Sequence, residues 1–172
     1  MLAETNAFVL HLKLKEDLGG LPETLIESAA EEALLRNEEG WIFTLQYPDY
    51  VPFMQYSDRR DLRKKMYFEY ASRCFKDNEK SNKNLVREIV NLRLGLARLL
   101  EFDSYSDYVL EDRMAGSKER VNLFLDELND ASAYFARKDF ERLSEYARKS
   151  GHIGDIERWD WAYYSEKLKK DL

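Results

Sequence analysis

Residues 40–73 read GWIFTLQYPDYVPFMQYSDRRDLRKKMYFEYASR. Trp41 to Leu45 is a short aromatic and β-branched run in which Trp41, Phe43 and Leu45 alternate with Ile42, Thr44 and Gln46, the two-residue period of a strand. Pro48 and Pro52 follow within seven residues of it, and proline cannot donate to a sheet ladder, so they predict a tight, proline-bounded connection. Asp58 then stands where a helix N-cap belongs, with Asp61 three residues on. Leu62, Met66, Tyr67 and Tyr70 recur at helical spacing after it. A strand, a turn and an aromatic helix in immediate succession make a packing hub, and none of its residues is an obvious catalyst.

Outward from the hub, residues 8–15 alternate Phe8, Leu10, Leu12 and Leu14 with Val9, His11, Lys13 and Lys15, a half-buried strand. Gly19-Gly20 gives a turn, and Pro22 suits the first turn of a helix over 22–37 carrying Leu25, Ile26, Ala29, Ala30, Ala33 and Leu34. Glu32 and Arg36 make an i,i+4 pair, and Asn37 and Gly40 supply the stop. The two strands, about 8–14 and 41–46, flank this helix. The expected outcome is one small antiparallel pair that needs helices to pack on.

Beyond the hub, 77–84 is a polar loop. Residues 83–101 form an amphipathic helix with Leu85, Ile89, Leu92, Leu96 and Leu99 at spacings of four and three, widened by Val86, Val90, Leu94, Ala97 and Leu100. Burial on two sides is expected. Ser104, with Asp107 three residues on, caps a short helix through Tyr105, Tyr108, Val109 and Met114. Ser117 caps the longest helix, about 118–149, with Val121, Phe124, Leu128, Ala131, Phe135, Leu143 and Tyr146 as its stripe. Gly151 and Gly154 bracket a loop, and Trp159-Asp160-Trp161-Ala162-Tyr163-Tyr164 opens a last helix with Asp160 as its cap. The fold class is therefore mainly α, about six or seven helices with one two-stranded antiparallel pair, as a single helical segment over 1–172.

The chain has 172 residues, 44% of them hydrophobic and 35% charged, which suits one ordinary domain with a core. Its net charge of −6 disfavours a general nucleic-acid or anionic-membrane binder. With a single cysteine, Cys74, no internal disulfide framework is possible, and a reducing, cytoplasmic compartment is the default. No apolar run suggests a membrane span or a signal peptide. The structured pattern is already under way at Leu2 to Phe8 and still running at Glu166 to Leu172, so both ends read as cuts through a longer protein.

Candidate chemistry is sparse. A helical zinc-peptidase site needs His-Glu-x-x-His, two imidazoles one turn apart on a shared metal with a glutamate to activate water. The two histidines, His11 and His152, are far apart, and neither stands in such a motif. His11 reads as a polar strand residue, His152 as a loop residue and Cys74 as an inert, at least half-buried thiol. Gly19-Gly20 lacks the spacing and lysine of a phosphate loop, and there is no Gly-x-Ser-x-Gly elbow. The basic run Arg59, Arg60, Arg63, Lys64 and Lys65 is interleaved with Asp58, Asp61 and Glu69 and reads as a solvated helix face. The acidic pairs Glu31-Glu32 and Glu38-Glu39 read the same way. The Trp159–Tyr164 cluster reads as core packing, with a sugar or peptide platform as the alternative.

Several stretches, in order, resemble the zinc oligopeptidases of the thimet oligopeptidase and bacterial peptidyl-dipeptidase group. They are Leu18-Gly19-Gly20-Leu21-Pro22 with its helix, and Phe43-Thr44-Leu45-Gln46-Tyr47-Pro48-Asp49-Tyr50 with Arg63 and Arg73 downstream. After them come Asp107-Tyr108-Val109-Leu110 with Met114-Ala115, and finally Trp159 to Tyr164, whose Trp-Asp-Trp-Ala form is closer to the peptidyl-dipeptidases. The resemblance implies a zinc-dependent parent that cuts short peptides and releases C-terminal dipeptides. It also implies that the zinc helix and the distant third ligand lie beyond the position matching Leu172, and that a helical region precedes the position matching Met1. On that footing this chain is an internal segment of the helical wall beside the substrate channel. It is inert alone, holds no catalytic residue, cofactor or metal of its own, and has the remainder of the parent as its partner. Self-association through apolar faces is expected of such a segment. The alternative is a stand-alone helical interaction module.

Overall fold

The computed structural model describes residues 7–172, so the reading of Leu2 to Asn6 lies outside the described residues. In chain order the elements are β1 (Val9–Leu12), α1 (Glu23–Leu35), β2 (Trp41–Thr44), α2 (Tyr47–Tyr56), α3 (Arg60–Ala71), α4 (Lys83–Leu99), α5 (Tyr105–Glu111), α6 (Lys118–Lys149) and α7 (Arg158–Lys170), with a 3-10 turn at Lys15–Leu18. The class is mainly α with one two-stranded sheet, as the sequence predicts. The strands pair antiparallel with Val9 opposite Thr44 and Leu12 opposite Trp41.

The chain divides into two compact units, Met1–Lys80 with Arg142–Leu172, and Ser81–Glu141. In the first unit, Leu10, Leu12, Leu18, Leu21, Leu25, Ala29, Phe43, Leu45, Phe53, Met54, Met66 and Trp159 form one core. Phe43 and Phe53 meet edge to face at 5.0 Å between ring centroids. The inward residues of α1 are Leu25, Ala29 and Ala33, whereas Leu34, expected in that stripe, is exposed. The stop after α1 forms as predicted: Asn37 is left-handed (φ 60°) and the Glu38 N–H reaches back to the Ala33 carbonyl. Gly40 is required where it stands, because its φ is +102° and a Cβ there would lie 2.3 Å from the Leu12 carbonyl oxygen.

The proline-bounded turn is instead a ten-residue helix, α2. Pro48 occupies its first turn, where a backbone N–H has no intrahelical partner anyway and the fixed φ is already helical. Pro52 lies inside the helix and omits one rung. Asp49 compensates at the helix start: its carboxylate accepts from the Thr44 N–H (2.8 Å) and the Thr44 hydroxyl (2.6 Å), tying the end of β2 to the first turn. The cap of α3 also differs from expectation. Arg59 is the N-cap residue and offers no side-chain cap, because the Asp58 carboxylate is turned toward α7.

A second cluster in this unit gathers Leu143, Ala147, Tyr163 and Tyr164, with Tyr146, Ile156 and Leu168 against it. Glu157 and Asp160 form a reciprocal capping box at the start of α7, so Asp160 is the third helical residue of the box rather than the cap itself.

In the other unit, Ser104 accepts from the Asp107 N–H and Ser117 from the Arg120 N–H, the two caps read from sequence. The expected burial of α4 on two sides does not occur: Ala97 is its only buried residue among those described, while Leu85, Ile89, Leu92, Leu96 and Leu99 are all exposed. Phe124, Leu128 and Phe135 of α6 are exposed as well. Helical periodicity reports that a face is apolar; it does not report that the same chain covers it.

Candidate functional site

The most heavily constrained polar group of the structure joins α3 to α7. Arg63 leaves the middle of α3 on the same face as Met66 and Tyr67, and its side chain is 1% exposed. Its Nε donates to the Trp159 carbonyl (3.1 Å), Nη1 to the Ser57 carbonyl (2.6 Å) and Nη2 to Asp160 Oδ1 (2.9 Å). The guanidinium also lies 4.0 Å from the centroid of the Tyr163 ring. Asp160 is wholly buried and receives, in addition, Arg60 Nη2 (2.8 Å), Arg60 Nε (3.0 and 3.1 Å to its two oxygens) and the Glu157 N–H (3.1 Å). Burial pushes the Asp160 carboxyl up, but the donors from Arg60, Glu157 and Arg63 outweigh it and hold the group below the usual carboxylate range.

A second polar set joins α7 to Asp58, just before α3. The Tyr163 hydroxyl donates to Asp58 Oδ1 (2.6 Å), and Lys167 Nζ reaches both Asp58 (3.3 Å) and the Tyr163 oxygen. The Tyr163 hydrogen bond lowers the Asp58 carboxyl, and burial with that same bond raises the Tyr163 phenol. The basic run of α3 is therefore only partly a solvated face. Lys64, Lys65 and Arg60 are exposed, while Arg63 is a core residue that has its counter-charge on another helix. A buried guanidinium with two carbonyl acceptors and a matched carboxylate is a positioning device: three of its N–H groups, one on each nitrogen, are spent on the helix contact.

Of the Trp159–Tyr164 cluster, Trp159, Tyr163 and Tyr164 are core residues, as core packing requires. Trp161 is 46% exposed and lines an open groove of about 380 Å³ with Tyr50, Val51, Met54, Tyr67 and Ala162. Behind the groove Tyr50 stacks on Tyr70 at 3.9 Å, and the Arg73 guanidinium covers the Tyr70 ring at 3.5 Å. Burial, then the neighbouring phenols Tyr70 and Tyr67, push Tyr50 up to about 12.

The histidines are not brought together with other ligands. His11 Nε2 lies 2.6 Å from the Glu39 carbonyl oxygen. His152 is engaged at both nitrogens, by the Asp155 carbonyl (3.1 Å) and the Tyr164 hydroxyl (3.3 Å). Cys74 is buried. Among the described residues no group of three or more His, Cys, Asp or Glu side chains could hold a metal ion. Nor is any helix long and apolar enough to cross a membrane.

The sequence model of peptidase family M3 matches residues 53–172, the part of the chain that holds α3, α7 and the pair between them. The chain belongs to that family. Oligopeptidase A of Haemophilus influenzae is 34% identical to this M3 chain over 160 residues, which are 91% of the chain and 24% of that protein. The organellar oligopeptidase A of Arabidopsis thaliana is 30% identical over 179 residues, covering 99% of the chain and 22% of that protein. Dipeptidyl carboxypeptidase of Escherichia coli is 24% identical over 155 residues, 90% of the chain and 23% of that protein. The M3 chain thus spans about a quarter of the length of the curated relatives it matches. The donors that a zinc ion would need are not gathered among the described residues: His11 faces the Glu39 carbonyl, and His152 faces the Asp155 carbonyl and the Tyr164 hydroxyl.

Sequence reading passed over the Arg63–Asp160 pair. Its signal was present in the helical phase: Arg63 precedes Met66 by three residues and Tyr67 by four, which places it on the apolar stripe and not on the face of Lys64 and Lys65.

Proposed function

We propose that this chain is a segment of a zinc-dependent oligopeptidase, acting on short peptides, in which it builds part of the helical wall beside the peptide channel and contributes no catalytic group. The single observation that carries the reading is its membership of peptidase family M3 across α3 to α7, combined with a length about a quarter of the relatives it matches. The geometry supports a wall rather than a reaction centre. Its best-determined polar groups, Arg63 and Asp160, are consumed in fixing one helix against another, and its histidines are not assembled with other ligands. Peptide hydrolysis is then the task of other parts of the parent enzyme, which operates in the cytoplasm without nucleic-acid or membrane partners. Release of C-terminal dipeptides is the finer form of the activity, favoured by the likeness to dipeptidyl carboxypeptidase.

A chimera tests this reading. The stretch of Haemophilus influenzae oligopeptidase A that aligns with this chain is replaced by it, and hydrolysis of an internally quenched peptide is followed with and without chelator. Chelator-sensitive turnover by the chimera, with none from the isolated chain plus zinc, is the expected result. Zinc-dependent turnover by the isolated chain that disappears on His11→Ala or His152→Ala would overturn it, as would a folded chimera without activity.

A further inference from the structure

We infer that Asp58, seated on the Gly19-Gly20 turn, is a positioning residue for α7, the turn acting through the elbow that joins α2 to α3 (residues 56–59). The turn is pinned on both sides, because Leu18 and Leu21 are buried in the core. Its backbone holds the elbow: the Asp58 N–H donates to the Gly19 carbonyl (2.8 Å), and Arg59 pairs with Asp17. Gly20 is left-handed, at φ +81°, and faces the elbow. A Cβ there would overlap the Tyr56 carbonyl oxygen and stand 2.9 Å from Cγ of Asp58, so only glycine lets the carboxylate sit where it does.

The other side of the elbow meets α7. Asp58 Oδ1 accepts from the Tyr163 hydroxyl (2.6 Å) and from Lys167 Nζ (3.3 Å), and the Tyr56 hydroxyl donates to Glu166 (3.1 Å). The Lys170 ammonium lies 4.4 Å from the centroid of the Tyr56 ring. Positions 163, 166, 167 and 170 form one stripe of α7, at offsets of three, four and seven from the first. The Arg63 and Asp160 network grips only the start of that helix, at residues 159 and 160. One polar grip at the end of a rigid rod leaves its direction unset, and the elbow supplies the second. The groove beside Trp161 has α7 on one side and α2 on the other, so its width follows that direction. On the oligopeptidase reading, on which this consequence rests, a wall helix out of its pose weakens peptide binding and leaves the chemistry alone.

Amide hydrogen exchange of the full chain tests the positioning. Asp58→Ala removes a side chain that is 52% exposed, so the chain stays folded. It should speed exchange over residues 163–170 by about threefold to tenfold, the loss of a hydrogen bond to a charged group discounted for solvent, while α1 keeps its rates. Tyr163→Phe should do the same, and the two together should add little. Asp58→Asn, which keeps an acceptor for the Tyr163 hydroxyl, should restore most of the protection. Gly20→Ala should loosen α7 at least as much as Asp58→Ala and leave Tyr163→Phe almost without effect, whereas Gly19→Ala, at an ordinary φ of −48°, should change little. In the chimera described above, Asp58→Ala should raise KM by about threefold to tenfold with kcat within about twofold. Unchanged exchange over 163–170 in Asp58→Ala overturns the inference, as does a fall in kcat with KM unmoved. A Tyr163→Phe effect undiminished by Gly20→Ala, or a Gly20→Ala chain that does not fold, overturns the part given to the turn. A chimera inactive with the natural segment refutes the peptidase reading instead, and the exchange results stand apart from it.

Discussion

Replacing Asp160 by alanine should be among the most destabilising single changes in the first unit, and the magnitude follows from what it strands. The carboxylate is fully buried and is the counter-charge of Arg63, itself 1% exposed. Without it, the guanidinium keeps two carbonyl acceptors, on Trp159 and Ser57, and stays positive in a place water does not reach. Removing one member of such a pair costs about 3–5 kcal/mol, most of it the penalty on the partner left behind. Loss of the capping-box acceptor adds about 0.5–1 kcal/mol at the start of α7. Arg60 shares the same carboxylate but is 45% exposed, so water can replace its partner, and Arg60→Ala should cost under about 1 kcal/mol. Urea unfolding followed by circular dichroism measures each variant, with the midpoint read at constant slope. The double replacement Arg63→Met with Asp160→Leu should recover most of the loss, because no charge is then left buried. Equal costs for Asp160→Ala and Arg60→Ala would refute the reasoning, and so would a double variant as unstable as Asp160→Ala alone.

Acid should unfold the first unit partly through this same carboxylate. Asp160 is held below its ordinary value, so its contribution is present above the unfolded value near about 4 and is lost as pH falls through the lower folded one. Midpoints measured from neutral to acid pH should fall steeply for the natural chain and less steeply for Asp160→Asn. Two glycines should respond in opposite directions. Gly40→Ala forces a Cβ to within 2.3 Å of the Leu12 carbonyl at φ +102° and should cost about 1–3 kcal/mol or more by thermal unfolding. Gly95→Ala, inside α4 with open space around it, should stabilise by about 0.5–1 kcal/mol.

What the sequence discloses and what it withholds divide along a physical line. Features set by residues close in the chain were legible: the strand alternation around Leu10 and Phe43, the left-handed stop at Asn37, and the Ser104 and Ser117 caps. Each depends on backbone sterics or on a hydrogen bond spanning a few residues. The misreading of 47–56 came from weighing two prolines singly. Pro48 in a first turn is permissive, and Pro52 one turn later removes only one rung, which the Asp49–Thr44 bonds and the burial of Phe53 and Met54 offset.

Arg63 and Asp160 are a different kind of case. Each is a charged residue amid apolar neighbours, a conflict that can be resolved only if the chain supplies the opposite charge at the same depth. They stand 97 positions apart, and no local rule joins them. The phase of α3 shows that Arg63 enters the core, and Tyr163 and Tyr164, three and four residues after Asp160 on α7, show that Asp160 is in apolar company, so the conflict was visible at both ends before the pairing was. A buried charge that local patterning cannot satisfy is thus itself a long-range contact prediction, since leaving it unpaired would cost a large part of a domain's stability. The exposed stripe of α4 makes the complementary point. Its five residues satisfy every local rule of a helix that should be covered, yet all five are exposed, so the pattern tells that a face is apolar without telling what lies against it.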